Sequence, residues 1–147
     1  MAYTKLLYHI IFRPHNNVPA ITEEYERELY MYIFGFCKNH HCKLYRVNGM
    51  PDHIHMLVAL PATLAVALFV HDLKIATGNF LRANPAKFPL FKSWERTYGA
   101  FTYSEAEKEK VIQYIINQKE HHRHISARDE LKQILRDMGV DYEERYV

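Results

Sequence analysis

Met50-Pro51-Asp52-His53-Ile54-His55-Met56-Leu57-Val58-Ala59-Leu60 is the segment that decides the fold. From His53 onward it predicts a β-strand, because successive side chains of an extended chain point to opposite faces and the sequence alternates in the same way. One face would carry Ile54, Met56, Val58 and Leu60, and the other His53, His55, Leu57 and Ala59. The two imidazoles are close enough to share a cation. The pair alone is equally consistent with a partly exposed strand that carries two incidental histidines.

The segments around this strand predict an α+β domain. Apolar runs and turn signals predict strands at 6–12, 42–48 and 53–60, and a final strand after a loop within 88–101. Helical periodicity and capping signals predict helices at 22–39, 63–84, 104–120 and 126–138. Thr63 is the predicted N-cap of the second helix, and Ser104 with Glu107 forms a capping box at the start of the third.

The first six elements have the order of a ferredoxin-like split βαβ sandwich, an antiparallel sheet with two helices on one face. In that topology the first and third strands are the central pair. The histidines would then lie on the face opposite the first two helices, which is left free for a site or a partner. A third helix, which carries the candidate nucleophile, and a further helix follow. The chain 1–147 is predicted to be a single domain, with a core at about 3–122 and a C-terminal helical tail at about 123–147.

Composition limits the functions that the chain can have. It has 147 residues, with Lys+Arg 19 and Asp+Glu 17, so the net charge of +2 provides no global basic field for nucleic acid. No apolar run reaches the roughly 18 residues that span a bilayer, so no membrane partner is expected. Without a secretory signal, Cys37 and Cys42 are expected to be reduced thiols, and the predicted location is cytoplasmic.

A second feature lies on the third predicted helix, where Tyr114, Gln118 and His121 recur at i, i+4 and i+7 along one flank. Taken alone, a tyrosine in such a position is usually a boundary residue. A phenol oxygen can nevertheless attack a phosphodiester, and the resulting phosphotyrosine retains the bond energy for rejoining. A divalent cation on His53 and His55 would polarise the phosphate. Mixed nitrogen and oxygen ligands would accept Mg²⁺ or Mn²⁺, although Zn²⁺ would bind two histidines more tightly.

Two motifs carry a resemblance to a known family. His53-Ile54-His55, preceded by Pro51-Asp52, resembles the HUH motif of histidine, bulky apolar residue and histidine. Tyr114-Ile115-Ile116-Asn117-Gln118 resembles the single-tyrosine motif that accompanies it. Together with chain length and strand order, this pair is similar to the insertion-sequence-200-like transposases, over essentially the whole chain to about His122.

The resemblance implies a homodimeric, metal-dependent DNA transposase. Such a protein recognises hairpins in single-stranded DNA, and it cleaves and rejoins strands through a 5′-phosphotyrosine intermediate. By the same resemblance, Tyr114 would be the nucleophile, and His53, His55 and Gln118 would hold Mg²⁺ or Mn²⁺. In the family the tyrosine helix often reaches the histidine site of the other subunit.

Asp52 and His121 are candidate accessory residues. Asp52 would either orient a ligating histidine through a hydrogen bond or simply form the turn before the strand. His121 could supplement or replace Gln118, but a contact with backbone phosphate or solvent is the favoured interpretation.

Contacts with DNA are expected from local clusters of cations and aromatic residues. The cluster within 87–98 alternates the two types on a loop, which suits stacking on unpaired bases together with phosphate neutralisation. A solvated surface is the simpler interpretation of any single lysine in these clusters. The candidates are Lys43 and Arg46; Lys74 and Arg82; and Lys87, Lys92, Trp94, Arg96 and Tyr98.

Two other functions are compatible with the sequence. One is a domesticated relative that nicks hairpin DNA and no longer moves an element. The other is a non-catalytic, ferredoxin-like dimeric module that binds nucleic acid, with histidines that are structural or bind a regulatory metal. A covalent protein–DNA species would exclude the second of these.

Overall fold

The four strands of the protein form one antiparallel sheet. A computed structural model of the chain describes residues 2–147. The strands are β1 (Leu7–Phe12), β2 (Lys43–Met50), β3 (His53–Ala59) and β4 (Gly99–Tyr103). Their order is β2-β3-β1-β4, and all three pairings are antiparallel. The predicted ferredoxin-like sheet, with the first and third strands at its centre, is therefore confirmed.

Five α-helices accompany this sheet within the described residues. They are α1 (Glu26–Asn39), α2 (Val66–Arg82), α3 (Lys108–Ile116), α4 (Gln118–His121) and α5 (Ala127–Asp137). Helix α1 begins later than predicted, after a turn in which the Tyr25 amide donates to the Thr22 carbonyl oxygen at 3.1 Å. The prediction that Thr63 caps the second helix is wrong, since α2 begins at Val66 with Ala65 as its N-cap. Nowhere in residues 2–147 does a helix combine the length and apolarity needed to cross a bilayer.

The C-terminal helices follow their sequence signals with one exception. The capping box of Ser104 and Glu107 is present and opens a 3₁₀ turn that leads into α3. Ser126 caps α5, where its side chain accepts a hydrogen bond from the Asp129 amide at 3.1 Å. The third predicted helix is interrupted at Asn117, whose ψ of 13° separates α3 from α4.

Strand β3 is buried on both faces, and this decides where the helices pack. Ile54 and Met56 face the core that the sheet forms with α1 and α2. Leu57, on the opposite face, is fully buried with Val111 and Ile115 of α3. Burial of a leucine side chain stabilises the fold by about 2 kcal/mol, so the histidine face is stabilised by helices of its own. The expectation that this face is left free is therefore wrong.

A close backbone contact fixes the hairpin that presents the histidines. Asn48 pairs with His55 and Met50 with His53, so the chain reverses within Pro51 and Asp52. A Cβ atom at Gly49 would lie 2.2 Å from the carbonyl oxygen of His53. Glycine is therefore required at this position for β2 to approach the start of β3.

Gly49→Ala is expected to lower the free energy of unfolding by about 2–3 kcal/mol, because the added methyl group displaces the backbone at His53. Gly35→Ala is the matched control. A Cβ at Gly35 in α1 meets nothing within 4 Å, so this change should raise the free energy by about 0.5–1 kcal/mol. Urea denaturation followed by circular dichroism measures both. Wild-type stability of Gly49→Ala would show that this hairpin geometry is wrong.

Candidate metal centre

Three imidazoles and one carboxylate converge on the histidine face of the sheet. His53 and His55 project from β3, His122 directly follows α4, and Glu130 lies in the first turn of α5. One potential ligand atom of each residue lies within 4.8 Å of those of the others. A group of this composition is compatible with a divalent metal ion.

The Glu130 carboxylate is the centre of this group. Its Oε1 accepts hydrogen bonds from His55 Nε2 at 2.7 Å and from His122 Nε2 at 3.1 Å. The same oxygen lies 3.3 Å from His53 Nε2. Because Glu130 is only 2% exposed, these contacts replace the water that a carboxylate would otherwise hold. A single oxygen atom therefore marks the point that three Nε2 atoms face.

Two of the imidazoles are held in place by acceptor oxygens at Nδ1, the ring nitrogen that faces away from Glu130. His53 Nδ1 donates to Asp52 Oδ1 at 2.8 Å, and His122 Nδ1 donates to the carbonyl oxygen of Ile125 at 2.7 Å. Histidines that bind metals are typically held in this way, since the outer hydrogen bond fixes both the orientation and the tautomer of the ring. The orientation of these rings therefore fits a metal ion bound at Nε2.

The third imidazole, His55, is fixed by another histidine. Its Nδ1 shares a hydrogen bond of 2.8 Å with Nε2 of His9 on β1. Burial lowers the pKa of His55 to about 4 and that of His9 to about 3, so both rings are neutral at pH 7. A neutral pair can carry its shared proton on either ring, and His55 can therefore present a free lone pair at Nε2.

The candidate nucleophile meets the histidines at the same carboxylate. The Tyr114 hydroxyl donates to Glu130 Oε2, and Gln118 Nε2 donates to that oxygen at 3.0 Å. Gln118 Oε1 lies 3.3 Å from His53 Nε2. The ring centroids of Tyr114 and His55 are 5.8 Å apart. The four main site residues predicted from the sequence thus lie together within one chain.

The charges of the site follow from these contacts. Burial lowers the pKa of His53, but hydrogen bonds to Asp52 and Glu130 outweigh it and raise that pKa to about 9. Burial raises the pKa of Glu130, yet hydrogen bonds from the three imidazoles hold it well below its usual range. Burial and the adjacent carboxylate together raise the pKa of the Tyr114 phenol. The site in this form holds an imidazolium–carboxylate pair and a neutral phenol.

The two accessory candidates lie in different parts of the site. Asp52 lies next to His53 Nδ1, the ring nitrogen that faces away from Glu130. His121 lies on the Tyr114 side, with ring centroids 5.5 Å apart. His121 Nε2 is 3.2 Å from Glu130 Oε2, but the contact lacks hydrogen-bond geometry and the buried nitrogen has no partner.

Helix α5 lies over the site, between two cavities. A cavity of about 560 Å³ is lined by His53, by Leu131 of α5 and by Tyr98. A second cavity, of about 340 Å³, is lined by Tyr114 and Glu130. His55 and Gln118 are fully buried between them. Helix α5 therefore covers His55 and Gln118, whereas His53 borders the larger cavity.

Several residues predicted to contact DNA make contacts within the fold. Lys74 and Arg82 donate to backbone carbonyl oxygens, and Lys87 pairs with a carboxylate of α1. Trp94 packs against two phenylalanine rings and donates to a hydroxyl of α2 at 3.0 Å. Of the predicted set, Tyr98 borders the larger cavity. The exposed members are Lys43, Arg46, Arg82, Lys92, Arg96 and Tyr98.

Sequence reasoning missed Glu130, His122 and His9. A usable signal existed for Glu130, since it occupies the i+3 position of an apolar stripe that starts at Ala127 and continues at i+4 and i+7. His122 was missed because a continuous helix would place His121 on the Tyr114 flank. His122 nevertheless lies four residues after Gln118, about one helical turn away, and Gln118 Oε1 lies 3.0 Å from His122 Nε2.

Comparisons with known proteins agree with this fold. The family model described as "Transposase IS200 like" matches residues 2–118. No curated protein matches the chain. A crystal structure of a candidate transposase from Deinococcus radiodurans R1 is similar, with a TM-score of 0.63 and 26% identity, and the match covers 80% of this chain and 93% of that one. A REP-associated tyrosine transposase bound to a REP hairpin has a TM-score of 0.61 at 12% identity, over 100% of this chain and 88% of its own.

Glu130→Ala is expected to lower the free energy of unfolding in EDTA by about 3–5 kcal/mol, because it leaves the buried imidazoles without their common acceptor. Glu109→Ala, at an exposed carboxylate of α3, is the control and should change it by less than about 0.5 kcal/mol. Chemical denaturation of both variants gives the comparison. Equal, small effects would mean that Glu130 does not hold this face together.

Proposed function

Because the chain belongs to the IS200-like transposase family, whose model matches residues 2–118, we propose that it cleaves and rejoins single-stranded DNA through a covalent bond to Tyr114. The motif resemblance suggests the reaction, and the contacts around Glu130 suggest how the reacting groups would be arranged. The transposase neighbours support the same class of activity.

The observation that carries this proposal is the meeting of Tyr114 with His53 and His55 at one carboxylate. The Tyr114 hydroxyl contacts one oxygen of Glu130, and the two imidazoles face the other. A phosphodiester that replaced this carboxylate would lie between the nucleophile and the metal ligands. All of these groups come from one chain, so we propose that the tyrosine acts in cis. A homodimer, which the resemblance implies, is then not needed to complete the site.

In the proposed reaction, the Tyr114 oxygen attacks phosphorus while the bond from phosphorus to the 3′ oxygen of the preceding nucleotide breaks. The 5′ end remains as a phosphotyrosine, the phenolic proton passes to water, and the leaving 3′ oxygen takes a proton from water. Attack by a free 3′ hydroxyl reverses these steps and rejoins the strand. Mg²⁺ or Mn²⁺ held by His53, His55 and Gln118 would polarise a phosphate oxygen and offset the charge that develops there.

A hairpin in single-stranded DNA is the proposed ligand. The REP-associated tyrosine transposase, which shares this fold, is bound to a REP hairpin. In this chain Lys92, Arg96 and Tyr98 are exposed on one loop, and Tyr98 also borders the cavity next to His53. This loop could therefore bind phosphates and a stacked base near the site. Because His55 and Glu130 are buried, we propose that DNA binding moves α5 away from the histidines.

Tyr114→Phe is expected to abolish the covalent protein–DNA species formed with labelled hairpin DNA and Mn²⁺, since only the attacking oxygen is lost. Tyr103→Phe is the matched control, because Tyr103 lines the same cavity as Tyr114 and should leave the adduct unchanged. His53→Ala and His55→Ala should each slow its formation by at least about 100-fold. Denaturing electrophoresis detects the adduct. Its persistence in Tyr114→Phe would refute the assignment, and its absence in wild type would favour the non-catalytic module.

Replacing Lys92 and Arg96 together with Ala is expected to make hairpin binding less sensitive to salt. Each lost phosphate contact should reduce the slope of log affinity against log salt by about 0.7–0.9. Fluorescence anisotropy at several salt concentrations gives the slopes. Lys38→Ala, at an exposed position at the end of α1, is the control. An unchanged slope in the double variant would remove this loop from the proposed interface.

A further inference from the structure

We infer that His122 and Glu130 are ligands of the ion that the proposed function assigns to His53 and His55, so that the ion joins α5 to the sheet. The inference rests on that proposed metal site and extends it. Both residues lie outside residues 2–118, the part of the chain that the family model matches. The ligands would be three imidazole nitrogens and one carboxylate oxygen, all on the buried side of α5.

His122 Nε2 faces two oxygen atoms that are both acceptors. A carbonyl oxygen can only accept, so His122 Nδ1 carries the proton that it donates to Ile125. In the neutral ring, Nε2 then presents a lone pair. That nitrogen lies 3.0 Å from Gln118 Oε1 and 3.1 Å from Glu130 Oε1, and both of these atoms are also acceptors. A cation among the three atoms would satisfy all of them.

The same arrangement of acceptor atoms recurs at His53. Its Nδ1 donates to a carboxylate, while Nε2 lies 3.3 Å from both Gln118 Oε1 and Glu130 Oε1. Two imidazoles on separate elements thus present Nε2 to the same pair of oxygens. Repetition of this arrangement indicates a common bound cation more strongly than an isolated hydrogen bond would.

Glu130 occupies a position in α5 where an apolar side chain is expected. Ala127, Leu131 and Ile134 share the stripe, and Leu131 and Ile134 line the two cavities beside the sheet. A buried carboxylate costs more than an apolar residue at such a position unless charged or donor groups surround it. Coordination of a divalent ion provides that compensation, and it explains why the sequence keeps a charge at the contact between α5 and β3.

The donor set also indicates which ions would bind. Nitrogen-rich sites favour Mn²⁺, Co²⁺ and Zn²⁺ with affinities that rise toward Zn²⁺, whereas Mg²⁺ favours octahedral oxygen ligands and retains its water. Three imidazoles and a carboxylate should therefore bind Zn²⁺ far more tightly than Mg²⁺. Of the two ions expected from the sequence, Mn²⁺ fits this set and Mg²⁺ fits it poorly.

Isothermal titration calorimetry of the metal-stripped full chain tests the inference without DNA, with Zn²⁺ and Mg²⁺ added separately. Wild type should bind one Zn²⁺ per chain. His122→Ala and Glu130→Gln should each weaken binding by at least about tenfold, as His53→Ala does. His124→Ala and Glu120→Gln are controls at side chains that are 79% and 64% exposed, and they should bind like wild type. Circular dichroism in EDTA checks folding, and Glu130→Asp replaces any Glu130→Gln protein that fails to fold.

Hydrogen exchange gives a second readout. Zn²⁺ should slow amide exchange across α5 in wild type, and this protection should be lost in His122→Ala. Wild-type affinity in both ligand variants, with loss only in His53→Ala, would overturn the inference and leave the proposed metal site intact. Absence of Zn²⁺ binding in wild type would overturn both the inference and the metal site of the proposed function.

Discussion

A buried carboxylate on the last long helix contacts every group that the site brings together. Glu130 uses one oxygen for three imidazoles and the other for Tyr114 and Gln118. A charge held at 2% exposure is stable only if these partners remain in place. The position of α5, the orientation of the histidines and the placement of the phenol are therefore coupled through one side chain.

The sheet supplies the rigid half of this arrangement. Strand β3 is buried on both faces, so its backbone cannot shift without disturbing the core against α1 and α2 and the smaller core against α3. The close approach at Gly49 fixes the start of the strand, where His53 lies. Helix α5, the other half of this arrangement, is held at the site mainly by the polar contacts of Glu130. Such contacts can be exchanged for contacts with a ligand more easily than an apolar core can. A division between a rigid strand and a separable helix would suit the proposed reaction, in which DNA must reach the histidines.

The sequence predicted the sheet well and named four of the side chains that meet at Glu130, because both depend on local patterns. Alternation around His53 and His55 identified β3, strand order followed from element order, and the capping signals at Ser104 and Ser126 are present in the structure. What could not be predicted depends on contacts across the chain. Glu130 and His55 are in contact although they are 75 residues apart in the sequence. The sequence pattern of α5 alone does not reveal that its buried carboxylate faces histidines. The break at Asn117, which separates α3 from α4, has no proline or glycine to signal it.

Anomalous diffraction from crystals of the full chain grown with Zn²⁺ tests the central claim most directly, because it locates the ion independently of any activity. The account predicts one strong peak on the histidine face, about 2.0–2.1 Å from Nε2 of His53, His55 and His122 and bound to a Glu130 oxygen. The Tyr114 hydroxyl should lie next to this peak in the same chain. A fully occupied Zn²⁺ at any other position, with the Nε2 atoms still facing Glu130 alone, would contradict it.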